Sequence, residues 1–211
     1  MKINKKRLIL TTIVCLLPIA VGVFLYPQLP ERIATHWGFD NEPNGWSSKA
    51  FAVFGLPALM AGFNLVLPLA LATDPKRKNM NPALLRICFW IVPIVSVLCS
   101  AMTLLYAMGY PVNVAQLTPA FVGVVFIVIG NYLPKTKQSY TMGIKLPWTL
   151  NSEENWNRTH RLGGFLWVLG GVVFLALSFL QCWNIYVFIA VLSVLLLVPT
   201  VYSYLLYRKG I

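Results

Sequence analysis

Six stretches of the chain run almost unbroken in apolar residues, and short polar segments separate them. They are Leu8 to Tyr26, Ala50 to Ala72, Leu84 to Met108, Leu117 to Leu133, Leu162 to Leu180 and Ile185 to Tyr207. Each comes close to or exceeds the roughly 20 residues that a helix needs to cross a hydrocarbon core. In lipid the backbone must satisfy its own hydrogen bonds, so segments of this kind are helices. A transmembrane β-barrel would instead alternate polar and apolar positions along strands of about ten residues. The pattern predicts an all-α polytopic membrane protein with six transmembrane helices.

Several of these spans contain proline, among them Pro18, Pro57, Pro68, Pro93 and Pro199. Each removes a backbone donor and can kink its helix, either as ordinary packing or to shape a cavity. The basic start, Met1 to Arg7, followed by apolar residues is similar to the opening of a secretory signal. However, the apolar run extends to Tyr26 without a small-residue cleavage site, so a retained first span is expected.

Composition agrees: 58% of residues are hydrophobic and 11% charged, where soluble domains carry about 25% charged residues. The formal net charge of +11 changes meaning in this setting. With the N-terminus inside, the inner segments hold Lys2, Lys5, Lys6, Arg7, Lys76, Arg77, Lys78, Arg86, Lys135, Lys137, Lys145, Arg158, Arg161, Arg208 and Lys209. Only Arg32 and Lys49 of the 17 basic residues fall outside. Because Lys and Arg collect in cytoplasmic loops, both termini are expected in the cytoplasm. The charge then points to anionic membrane lipids rather than to direct nucleic-acid binding. Trp37 and Trp46 lie in the first outer loop, Tyr110 and Trp183 close to outer span ends, and Trp148 and Trp156 in the large inner loop, where Trp and Tyr suit the membrane interface.

The organisation expected is an N-terminal four-helix membrane region over residues 1–134, carrying an extracellular loop at 27–49. A cytoplasmic loop at 135–161 and a C-terminal two-helix hairpin at 162–211 follow. No internal repeat supports an inverted-repeat transporter. Cys15, Cys88, Cys99 and Cys182 have no metal or redox spacing, and His36 and His160 stand alone. No metal, cofactor or disulfide framework is expected.

The outer loop from Tyr26 to Lys49 is rich in proline and glycine, and Asn44-Gly45 is a strong turn signal. Its donors, carboxylates and two indoles suit contact with a peptide or protein. His36, Trp37, Asn44 and Trp46 are the recognition candidates. His36 can change charge or accept a proton from a ligand, or simply hold the loop by a hydrogen bond. Asp40 and Glu42, two carboxylates in a flexible loop, are poor grounds for a metal site.

The inner loop from Gly130 to Gly164 is long for a connection. Ser152 is the best N-cap for a short helix starting near Glu153, and Glu154 and Arg158 form an i,i+4 pair. Trp156, His160 and Gly163-Gly164 recur at helical intervals, so the segment is expected to lie along the inner membrane face before turning into span five. Tyr140, Lys145, Trp148, Glu154, Trp156, Arg158, His160 and Arg161 are candidates for binding a cytoplasmic partner. Catalysis is not expected. Ser152 and His160 would sit about 12 Å apart along a helix axis, and there is no nucleotide loop or zinc pair. Within the spans, Asn64 and Asn131 are the leading polar exceptions. They serve either helix-to-helix hydrogen bonds or a substrate.

Gly130-Asn131-Tyr132-Leu133-Pro134-Lys135, Tyr140-Thr141-Met142-Gly143-Ile144-Lys145, Pro147 to Trp156 and Thr159 to Gly164 together resemble the signature of the SdpI family of bacterial immunity and signalling membrane proteins. Leu29-Pro30, Ile33, His36-Trp37, Asn44-Gly45-Trp46 and Lys49 resemble the short domain preceding it in many members. The resemblance implies protection of a Gram-positive cell against its own secreted toxic peptide. It also implies signalling, in which the toxin-occupied protein captures a small cytoplasmic transcriptional repressor. A small transporter or channel, and a membrane sensor without immunity activity, are the competing readings.

Overall fold

The computed structural model describes residues Asn4 to Ile211; Lys2, counted above among the inner bases, lies outside the described residues. Six helices are long and apolar enough to cross a membrane. They are α1 (Lys5–Leu25), α2 (Leu56–Ala72), α3 (Pro82–Ala107), α4 (Val114–Tyr132), α6 (Glu153–Phe179) and α7 (Ile185–Arg208), with a short α5 (Pro147–Asn151) before α6. The all-α frame expected from hydropathy is therefore present. Side chains cap helix starts among the described residues: Asn4 accepts from the Arg7 amide at 3.0 Å, Asn81 from Ala83 at 2.9 Å, Ser152 from Asn155 at 3.2 Å and Asn184 from Val187 at 3.0 Å. Each satisfies one of the orphan N–H groups of a first turn.

Two features depart from expectation. The 27–49 segment, expected as a loop with turns, is an antiparallel hairpin of β1 (Arg32–Trp37) and β2 (Pro43–Ser48). Its turn lies at Gly38 to Glu42, where the Gly38 amide donates to Glu42 O at 2.9 Å and Asn41 has φ 64°. Asn44-Gly45, expected to turn, is paired strand instead. Packing of neighbouring side chains overrides the local preference. The second departure is α6. The segment after Ser152 does not lie along a membrane face and then turn; it runs unbroken into the fifth span. Neither Gly163 nor Gly164 ends the helix, because both are buried packing positions.

The chain divides into two compact units. The first holds residues up to Thr73 together with Leu85–Val114. A π-helical turn, Phe51–Gly55, leads into α2 and places Pro57 in its first turn, where a missing N–H is harmless. Gly22 of α1 faces Val53, and a Cβ there would come within 2.7 Å of Val53 Cγ1. Asn64 is 1% exposed and donates both amide protons, to Thr11 and Thr12 Oγ1, each at 3.0 Å. This is the helix-to-helix bonding expected of it. Ser96 of α3 donates to Cys15 O at 2.8 Å.

The second unit holds Asp74–Leu84 and Ala115–Ile211. Here α4 and α6 touch backbone to backbone at two levels. A methyl on Gly171 would lie 2.5 Å from Gly123 O, and one on Gly164 would lie 2.7 Å from Gly130 O. Small residues allow this approach, which dispersion and weak hydrogen bonds then stabilise in lipid. Asn131, beside Gly130, is exposed.

Candidate functional site

The hairpin is seated on its own unit. Leu29, Ile33, Ala52, Val53 and Leu104 form a buried cluster beneath it. Trp37 packs edge-on against Tyr106, with ring centroids 5.5 Å apart at 82°. Asn41 Nδ2 donates to Val112 O at 3.3 Å. Lys49 is 8% exposed, pairs with Glu31 at 3.4 Å and lies 4.5 Å from the centre of the Tyr26 ring. Of the four recognition candidates, His36, Asn44 and Trp46 are exposed and Trp37 is turned inward. His36 Nδ1 stands 2.5 Å from Asn44 Oδ1, so the imidazole donates across the strand pair.

The 135–161 loop is held at every stage. Asp74, which sequence reasoning did not single out, is 3% exposed and gathers four donors. Its Oδ1 accepts from the Lys76 amide at 2.7 Å; its Oδ2 accepts from Ser139 Oγ at 2.7 Å, from the Thr141 amide at 2.8 Å and from Thr141 Oγ1. Burial raises this carboxyl's pKa, but the hydrogen bonds outweigh it and hold the group below its ordinary 3.8. Gln138 extends the tie. It accepts from Lys76 Nζ at 2.9 Å, its backbone carbonyl accepts from Asn79 Nδ2 at 3.0 Å, and its own amide donates to Thr149 O at 3.0 Å. The sequence signal for Asp74 was faint: one acid, followed by proline, heading the basic run Lys76-Arg77-Lys78.

Trp156 and His160, both fully buried, hold the middle of the loop. Trp156 Nε1 donates to Thr136 O at 2.8 Å, and the His160 ring stacks on the indole with centroids 3.9 Å apart. His160 Nε2 accepts from the Ile144 amide at 2.9 Å, which leaves Nδ1 as the donor to Trp156 O at 2.8 Å. Gly143 turns beside them at φ 107°, where a Cβ would come within 2.8 Å of the Trp156 ring. Asn155, also missed, donates to Ser203 O at 3.0 Å and Ile211 O at 3.2 Å while accepting from Ser203 Oγ at 2.6 Å.

The other inner candidates face outward. Tyr140, Lys145, Glu154, Arg158 and Arg161 are exposed. Glu154 and Arg158 make the expected pair at 2.5 Å. Trp148 is half-buried against Tyr204 and Tyr207. It borders a cavity of about 520 Å³ that Pro147, Asn151, Tyr207, Gly210 and Ile211 also line. The structure thus separates the candidates into a buried brace, Trp156 and His160, and an exposed, mainly basic surface.

These features define a multi-pass helical membrane protein whose two distinctive connecting segments are folded rather than slack. The chain belongs to the SdpI/YfhL protein family, whose model matches residues 135–203, from the inner loop into α7. Residues 13–61, spanning the hairpin, match a domain of unknown function, DUF1648. Over 206 residues, 97% of this chain and 97% of its relative, the sequence is 31% identical to the immunity protein SdpI of Bacillus subtilis strain 168. No solved structure matches.

Proposed function

We propose that this chain sits in a bacterial cell membrane with both termini in the cytoplasm and protects its cell from a secreted toxic peptide. The observation that carries this reading is the hairpin's exposed triad of His36, Asn44 and Trp46, in a chain similar over nearly its whole length to a protein named for immunity. The charge bias supports the orientation: an N-terminus inside puts the hairpin outside and the 135–161 loop inside. On the inner side, Lys145, Arg158 and Arg161 are exposed and suit an acidic patch on a small transcriptional repressor. Occupation of the hairpin by toxin would then be relayed inward. That relay is allostery only if two states exist and the two ligands couple reciprocally.

The role is binding rather than catalysis. Ser152 Oγ is engaged as an N-cap, and both ring nitrogens of His160 are committed to backbone groups. No pair of a nucleophile and a free base arises from them. The test is expression in a toxin-sensitive cell, followed by challenge with a panel of secreted antimicrobial peptides. Survival against at least one peptide is expected, and unchanged killing by all of them would overturn the immunity reading. Thiol labelling of cysteines placed at Ser48 and Lys145 tests the orientation, since labelling from the same side would refute it.

A further inference from the structure

We infer that the free edge of β2 is a docking edge for an extended cationic peptide, which joins the hairpin as a third strand. This rests on the peptide-binding reading above and specifies how the peptide is held. The sheet has two strands, so each has one side without a strand partner. On β1, Ile33 and Ala34 are each 1% exposed, whereas no residue of β2 is buried. The accessible edge therefore belongs to β2.

Register identifies which backbone groups it offers. Lys49 N donates to Glu31 O at 3.0 Å, and the next two pairs inward are Arg32 with Ser48 and Ile33 with Ser47. Antiparallel pairs alternate between bonded and non-bonded, so Ser47 faces β1 with its polar backbone groups. Trp46 then directs its N–H and C=O away from β1, as Ser48 does its N–H, while the Ser48 carbonyl enters the helical turn that starts at Lys49. Such unpaired groups are a template for another strand. The side chains of Asn44, Trp46 and Ser48 share one exposed face, with Trp46 50% exposed. The irregular register lies beyond Ala34, and Pro43 lacks an N–H, so docking centres on Trp46 to Ser48.

Charge selects the occupant. Glu31, Asp40 and Glu42, half of the chain's six acidic residues, lie in this segment and are exposed. Arg32 is exposed as well, but Lys49 is buried against Glu31 and Tyr26. The hairpin surface is therefore acidic on a protein of net charge +11. A cationic strand gains here, and the exposed indole accepts either an apolar or a cationic side chain.

The test uses the full chain in lipid nanodiscs carrying Ser48→Cys, with Trp46→Cys as a second variant. The probe is an alternating Lys-Val heptapeptide with one cysteine moved along its length, and the unsubstituted protein supplies the background from its own thiols. Disulfide yield should peak at one probe position and recur at its second neighbours. Glu31→Lys and Glu42→Lys should each lower the yield roughly fivefold, the scale of a reversed surface charge. An alternating Glu-Val probe should not cross-link. Equal yields at all positions, or a three-to-four-residue spacing, would overturn strand addition. Cross-linked protein dimers formed without probe would assign the edge to a second copy instead. A chain that protects cells but gives no alternation keeps immunity and loses this edge; alternation without protection does the reverse.

Discussion

Asp74 Oδ2 accepts from Ser139 Oγ at 2.7 Å although 65 residues separate them in the chain. The contact is buried, and it joins the turn after α2 to the segment where the family match begins. It makes the long 135–161 loop a defined structure rather than a tether.

Replacing Asp74 with alanine removes the acceptor of the Ser139 and Thr141 hydroxyls and leaves the Thr141 amide only the longer bond to Ser139 Oγ at 3.2 Å. A hydrogen bond to a charged group contributes about 2 kcal/mol net. The Thr141 amide should then exchange with solvent deuterium roughly thirtyfold faster, a local opening visible by mass spectrometry. Unchanged protection would show that the carboxylate does not hold the loop.

The same group makes a pH prediction. Its carboxyl titrates lower in the folded protein than its ordinary 3.8, so the unfolded chain binds the proton more readily. The contribution is complete above that ordinary value and is lost as pH falls through the lower folded value. Protection of the Thr141 amide, corrected for intrinsic rates, should be flat from pH 8 to about 5 and decline only below pH 4. A decline centred near neutrality would point to a different group.

Gly130→Val and Gly164→Val should each force α4 and α6 apart. Overfilling a packed contact costs about 1–3 kcal/mol, and the thermal unfolding midpoint in detergent should fall accordingly. Gly62, exposed and with nothing within 4 Å of an added Cβ, is the control. Gly62→Val should leave the packing contribution unchanged.

Asn155→Leu removes a buried hub and leaves the buried Ser203 hydroxyl without its acceptor, a loss of about 1–3 kcal/mol for one unsatisfied group. Ser203→Ala alone loses one hydrogen bond, about 0.6 kcal/mol on the membrane-helix average. The double variant should fall short of the sum, because the two residues bond each other. Strict additivity would show that they act independently.

Asn64→Leu separates immunity from transport. Both Asn64 amide protons are committed to Thr11 and Thr12, and its Oδ1 is buried without a partner. Losing two bonds while removing an unpaired carbonyl should change stability by about 1 kcal/mol or less. Toxin survival should persist. Abolished survival in a stably inserted protein would make Asn64 a functional group.

The helices were legible because hydrocarbon leaves a long apolar segment no other way to pair its backbone. The Ser152 cap and the Glu154–Arg158 pair were legible too, since both depend on spacings of three and four residues. The hairpin was not. Asn44-Gly45 favours a turn locally, but seating Ile33 in the core and Trp37 against Tyr106 fixes a register that turns at Asn41 instead. The continuity of α6 was hidden for a similar reason. A turn was expected before the fifth span, yet Ile144 and Pro134 fill the space that side chains at Gly163 and Gly164 would take, and the helix runs on.

Among the inner candidates, Trp156 and His160 looked equivalent to Trp148 and Arg161 because periodicity does not say which face of a helix is covered. Asp74 and Asn155 were overlooked because their partners lie 65 and 48 residues away. By itself the sequence determined the six apolar segments, the clustering of charge and the Ser152 cap, which are properties of neighbours along the chain. The hairpin register, the Asp74 tie and the division between brace and surface were decided only by tertiary structure. Each depends on a donor, acceptor or packing surface brought close from a distant part of the chain.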